Sequence, residues 1–429
     1  MKSPSRKTGK IAQAVAFALG ELKPRGRLFT PFNVISAPIM LLGAGLIIYR
    51  LIMGLGAVTN ASDDFPWGIW ISFNVMTGVA FAGGAYVLTF VVYILRSEKY
   101  HPIIRATVLN GFLAYVFYAS AIFFDLGRWW NIANPLIGNK FGVNSVLFLV
   151  AWHFLLYMIA QLIEFSPAIA EWLGLRKIRK TLTSLTLGAV IFGVTLSTLH
   201  QSGLGALVMM AQPNMHPLWY TEFIPILFFV SSIFAGLSVV IVQTAMCGKV
   251  FRDQIDKHHL ASYDSIVTGL AMGCAGTMFG YFFLKSLVFI HGNHWKLLNT
   301  PMGYWYLVEV IGFVLIPCFM FLQGARHRNL VTIRIAAVVT MLGIIINRFN
   351  YVFIAYKWYI PLNERYIPHW MEVTIALTIV LADIWAFRWI ANRMPVLRKS
   401  PQWAIEQDSG EEEADDKVIA IASRMGGRS

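Results

Sequence analysis

Ten apolar runs, each about the 20 residues that cross a hydrocarbon core, divide this chain. They predict helices over 33–57, 66–95, 103–125, 143–164, 182–200, 222–246, 263–290, 303–323, 331–355 and 370–391. Gly and Pro recur inside them, as membrane helices tolerate. Gly83-Gly84 and the series Gly269, Gly273, Gly276, Gly280 predict places where helix backbones approach closely. Ahead of these runs, Ile11–Leu19 is apolar but too short to span. It reads as an interfacial helix and not as a signal-peptide core, because no clear small-residue cleavage site follows it. From about 400 the chain turns polar, and Glu411–Asp416 is an acidic run typical of a solvated, disordered tail. The organisation is therefore a basic segment 1–30, a ten-helix membrane domain 31–395 and a tail 396–429.

Composition sharpens this. The 429 residues are 57% hydrophobic and only 13% charged, with a mean hydropathy of +0.60. A soluble domain carries about 25% charge, so too few polar groups exist here to cover a water-facing surface. The net charge of +13 does not point to nucleic acid, because the bases punctuate apolar runs. With the N-terminus placed in the cytoplasm, 27 of the 35 Lys and Arg fall on the cytoplasmic side and 5 in outer loops. That asymmetry is a positive-inside signal. The fold class is an all-α integral membrane protein of about ten transmembrane helices with both termini cytoplasmic. Cys247, Cys274 and Cys318 form no CxxC pair, so no iron–sulfur cluster, thiolate zinc site or disulfide framework is encoded. Phosphate-loop and HExxH motifs are absent too.

With that orientation, several polar stretches reach the outer face. Phe65-Pro-Trp67-Gly68 opens the second helix there, and Asp125-Leu-Gly-Arg128 ends the third. Asn144 opens the fourth. Ser197–Gly205, with His200 and Gln201, closes the fifth and turns through glycines towards His216-Pro-Leu-Trp219. Tryptophans at span ends are commonly an interfacial belt. Ionisable groups there need a partner or water. Reduction of a quinone takes two electrons and two protons, and asks for hydrogen bonds to both carbonyls and a protonatable group near one. An imidazole suits that role, and a neighbouring carboxylate would orient it. His200 with Asp125 is the candidate catalytic pair, with Arg128, Trp67, Asn144 and Gln201 as further quinone-binding candidates. The bland alternative for His200 is a capping histidine bonded to a helix-end carbonyl. Arg50, Lys285, Glu309 and Arg348 are charges inside spans; they read first as a structural ion network and second as a proton path. Asp383 is a lone carboxylate deeper in the tenth helix. His153 lies mid-span without a partner histidine at its depth, which disfavours a haem b cytochrome. A proton- or solute-transporting subunit is the alternative of another class, and a passive anchor is the third reading.

Taken in order, Phe65–Ile71, Tyr100-His-Pro102, Asp125–Arg128 with Trp130-Asn131, Asn144–Phe148, His200–Ser202 and His216–Trp219 resemble the NrfD/HybB family over roughly residues 33–395. The likeness is strongest to its nickel–iron hydrogenase branch. The resemblance implies two four-helix bundles, a quinone (menaquinone or ubiquinone) as substrate, and no haem or iron–sulfur cluster in this chain. It implies a bacterial inner-membrane location. Its partner would be a periplasmic, ferredoxin-like iron–sulfur subunit, with a hydrogenase, molybdoenzyme or multihaem cytochrome c beyond it. The family role carries onto His200, Asp125 and Arg128. Glu372, with Arg50, Glu309 and Arg348, also falls where the family is charged. Two positions depart: Leu149 and Gln243 stand where the hydrogenase branch has glutamates. Neither can move a proton, so quinone protons are expected to exchange with the outer side or to pass through Asp383 or Glu309.

Overall fold

The computed structural model describes residues 10–25, 28–137 and 142–409. The basic residues before Lys10 and the acidic run Glu411–Asp416 lie outside them. The regular elements of the described residues are all helical, with a single bridge between Met215 and Tyr356 outside the helices. Among the described residues, ten helical segments are long and apolar enough to cross a membrane. They are span 1 (Pro31–Met53), span 2 (Trp70–Ile94), span 3 (Glu98–Asp125), span 4 (Val146–Trp172), span 5 (Arg176–Met209), span 6 (Ile224–Val250), span 7 (Lys257–His291), span 8 (Pro301–Arg326), span 9 (Leu330–Ile354) and span 10 (Trp370–Ala391). Their outward surface is apolar: Leu41 and Ile52 are each 75% exposed. Water would not sustain such a surface, and lipid does. The protein is a multi-pass membrane protein.

Span 5 differs from expectation. Its helix does not close at His200 but runs on to Met209. In lipid a broken helix leaves backbone groups unsatisfied, which outweighs the weak helix propensity of glycine. Gly203 and Gly205 serve packing instead of a turn. A Cβ on Gly203 would stand 2.7 Å from Val150 Cγ2, and one on Gly205 2.7 Å from the Pro225 backbone. Span 4 likewise runs past 164 to Trp172, through Pro167.

Consecutive spans from 2 to 5 pack on one another and span 5 returns to span 2; spans 6 to 9 repeat the pattern. The two sets meet where span 2 crosses span 6. There Gly84 and Gly236 touch backbone to backbone, and a Cβ on Gly236 would lie 1.9 Å from Gly84 N. Gly276 and Gly280, expected to pack likewise, face open space. Spans 1 and 10 pair with each other, with Trp385 Nε1 donating to Ser36 Oγ at 3.0 Å and Arg388 to Asn33 Oδ1 at 2.7 Å. Span 10 then lies against span 3.

An amphipathic helix, Lys10–Leu22, precedes span 1 and sets Phe17 against Trp172, the rings tilted at 45° with centroids 5.3 Å apart. Arg393, just past span 10, donates to Glu21 O at 2.7 Å and Lys23 O at 2.8 Å. Both ends of the described chain therefore share one face. Val396 and Leu397 are buried in the core, and residues 402–409 form a helix.

Among the described residues four stretches are wound as π-helix, including Trp70–Thr77, Val308–Leu315 and Asn350–Ile354. The wider turn re-aims side chains and is common at functional sites. It delivers Glu309 and Asn350 into the same network.

Candidate functional site

His200 lies inside span 5, nine residues before its end, and is 2% exposed. Its Nδ1 stands 3.2 Å from the Val150 carbonyl of span 4. A carbonyl only accepts, so that bond assigns the proton to Nδ1 and leaves Nε2 as a bare acceptor. Nε2 is buried and makes no hydrogen bond among the described residues. The rings of Tyr115 and Phe154 flank the imidazole, each with its centroid 5.7 Å away. Gln201 donates from Nε2 to Val79 O at 2.9 Å, tying span 5 to span 2, and its Oε1 is unpartnered. The Tyr115 hydroxyl and Ser197 Oγ are likewise buried, near each other but without a well-formed hydrogen bond among the described residues. His153 is half-buried on span 4. The helix-end capping reading does not describe His200, because the carbonyl it meets belongs to a neighbouring helix.

The structure does not join His200 to Asp125: no hydrogen bond or ion pair links His200 to Asp125 or Arg128. The orienting group is the Val150 carbonyl. Asp125 lies instead within electrostatic reach of Arg50 and Glu372. Arg50, 1% exposed, donates from Nε to Phe124 O at 2.9 Å and from Nη2 to Leu126 O. It thus covers the carbonyl end of span 3, where a cation is favourable. Glu372 accepts from Asn60 N at 2.6 Å and from the Tyr366 hydroxyl. That hydroxyl accepts in turn from Ile69 N at 2.9 Å. These bonds hold the Phe65–Gly68 turn against the start of span 10. Trp67 is half-buried on the core beside it, while Arg128 and Asn144 are exposed. The expected quinone-binding residues therefore divide into an interior pair, a cluster at spans 1, 3 and 10, and an exposed rim.

A third polar centre is built on Glu309, 2% exposed. Its carboxylate accepts from Trp219 Nε1 at 2.7 Å, from Asn347 Nδ2 at 2.8 Å and from Asn350 Nδ2. Lys285 Nζ stands 3.8 Å from it, with the Tyr306 ring centroid 5.4 Å from the ammonium. Arg348 donates to Asn347 Oδ1 at 2.6 Å and Ser231 Oγ at 2.8 Å, its guanidinium 3.8 Å over the Phe228 ring. His216 belongs here and not with His200. Its backbone N–H donates to Ala355 O at 2.9 Å and its ring meets Trp219 and Trp358 edge-on. Burial, with the charge of His294 second, holds its pKa down at about 4. Asp383 receives the Tyr118 hydroxyl at 3.3 Å, so it faces span 3.

Among the described residues no group of three or more His, Cys, Asp or Glu side chains could hold a metal ion. Tyr115 escaped the sequence reading: a tyrosine in mid-span carries no motif, and only packing reveals that it flanks the imidazole.

A family model described as polysulphide reductase, NrfD, matches residues 57–359. A protein of Nitratidesulfovibrio vulgaris is 42% identical over 376 residues, covering 88% of this chain and 97% of its own. The probable Ni/Fe-hydrogenase 2 b-type cytochrome subunit of Escherichia coli K12 is 29% identical over 378 residues, covering 85% and 93%. The menaquinone reductase integral membrane subunit of N. vulgaris is 27% identical over 369 residues, covering 77% and 83%.

Proposed function

This chain belongs to the NrfD polysulphide reductase family, and from that premise we propose that it is the quinone-reactive membrane subunit of a respiratory oxidoreductase complex. It exchanges electrons between a periplasmic iron–sulfur subunit and the quinone pool of a bacterial inner membrane. Relatives named as subunits of a hydrogenase and of a menaquinone reductase support that reading. The distribution of Lys and Arg supports a periplasmic outer face and cytoplasmic termini. The neighbour pattern supports two four-helix bundles, spans 2–5 and 6–9.

The observation that carries the assignment is the bare Nε2 of His200, buried among aromatic rings and held by Val150. A quinol hydroxyl can donate to that nitrogen and leave one of its two protons there as two electrons depart, the second proton passing to water. In the opposite direction the imidazolium returns one proton to a quinone oxygen and water supplies the other. Gln201 and Tyr115 offer further hydrogen-bonding atoms, and Phe154 a ring face for stacking. The quinone is the substrate, and the electrons enter or leave through the partner.

A second reading places the quinone head at the Asp125, Arg50 and Glu372 cluster beside Trp67, favoured by the partial exposure of Asp125. Quenching of intrinsic fluorescence by a menaquinone analogue separates the two. Saturable quenching lost in His200→Ala and kept in Asp125→Asn supports the first; the reverse supports the second. No saturable quenching in the parent protein would favour a transporter.

A further inference from the structure

A cavity of about 350 Å³ opens at the end of the spans that carries both chain ends. Tyr93, His101, Arg105, Glu164, Arg179 and Asp408 are among the residues that line it. Most of its charge is neutralised in a chain of ion pairs. Glu171 receives Arg105 at 2.7 and 2.9 Å and Arg179 at 2.9 Å. Arg179 reaches on to Asp408 at 2.7 Å. Glu164, two helical turns before Glu171 on span 4, is different. Among the described residues no cation pairs with it, and its Oε1 is buried without a hydrogen-bond donor.

Above Glu164 a strip of polar side chains leads to His200. Gln161, one turn along span 4, donates from Nε2 to the Tyr157 hydroxyl at 3.1 Å, and its own Oε1 is unpartnered. It occupies room left by Gly111, where a Cβ would stand 2.6 Å from Gln161 Nε2. Tyr157 meets Tyr115 edge-on, with centroids 4.7 Å apart, and Tyr115 flanks the imidazole. Ser197 sits one turn before His200 on span 5, its Oγ also unpartnered. A buried polar atom without a partner is destabilising, so native proteins satisfy such atoms with ordered water. Such atoms recur from Glu164 Oε1 through Gln161 Oε1 and Ser197 Oγ to His200 Nε2.

We propose that Glu164 loads protons from this cavity and that Gln161, Tyr157, Ser197 and Tyr115 carry them, through bridging water, to and from His200. The route rests on His200 being the quinone-reactive group. It assigns proton exchange to the face bearing the chain ends, and not to the outer face, Asp383 or Glu309. Leu149 needs no carboxylate for this, since it projects to the surface, 47% exposed. Gln243 is held by Ala106 O at 2.9 Å.

The test uses the complex isolated with its copurifying subunits, in liposomes loaded with a pH-sensitive dye. Menaquinol-4 in the bilayer reduces external ferricyanide through the complex. One quinol and two ferricyanides give one quinone, two ferrocyanides and two protons. Only complexes with the partner side outward react, so this route delivers the protons to the lumen. The parent complex should acidify the lumen. Glu164→Gln should lose that signal, with turnover down at least tenfold and menaquinone quenching unchanged. Gln161→Leu should do the same and Glu164→Asp should restore part of it. Lumen acidification at the parent rate in Glu164→Gln, or release only outside by the parent, would overturn the route. Parent-level turnover in His200→Ala would instead remove the reading beneath it.

Discussion

The Trp219 indole N–H donates to the Glu309 carboxylate at 2.7 Å, fastening the loop after span 5 to span 8. The same carboxylate balances Lys285 and Arg348, all three at most 2% exposed. Glu309→Gln keeps an acceptor for Trp219 and removes the negative charge. Removing one member of a buried ionic set costs about 3–5 kcal/mol. The variant should unfold at clearly lower temperature in detergent and accumulate poorly in membranes. Parent stability with lost turnover would instead make Glu309 a proton carrier.

His200→Gln should retain the fold, since its side chain can still meet Val150 O and fills similar space. Turnover with quinone should fall about 10²-fold or more, the usual weight of a positioned acid–base group. Steady-state quinol oxidation by the intact complex measures this. Undiminished rates would remove His200 from the chemistry.

Gly236 touches the Gly84 backbone, which cannot move aside as a side chain can. Gly236→Val should part spans 2 and 6 and cost at least the 1–3 kcal/mol typical of overpacking. Gly280→Ala, facing open space, should be neutral. Melting curves of both variants in one detergent compare them. Equal melting temperatures would contradict the backbone contact.

His216 has its pKa held at about 4, below the ordinary 6.5. The unfolded chain therefore takes up a proton first as pH falls. The stability this neutral ring contributes is complete above pH 6.5 and is lost progressively towards pH 4. Melting temperature should drop across that window, and His216→Gln should flatten the drop. An unchanged slope in the variant would mean that other groups set the acid limit.

The spans were legible because bilayer thickness dictates the length of an apolar run, whatever the helix packs against. Composition alone required lipid as the solvent, and the resemblance carried by Phe65–Gly68, Asp125–Arg128 and His200–Ser202 is borne out by the family match. The buried charges at Arg50, Lys285, Glu309 and Arg348 could be named as needing partners. Which partners they take could not be read. Arg50 meets the carbonyl end of span 3, Glu372 the Tyr366 hydroxyl, and His200 a backbone carbonyl in place of Asp125. Lipid tails are as apolar as leucine, so hydrophobicity does not choose which helices lie side by side. That choice falls to steric fit, such as Gly84 on Gly236 and Gly203 on Val150, and to hydrogen bonds between helices. Both are properties of pairs of surfaces, and only the folded protein brings the two members of a pair together.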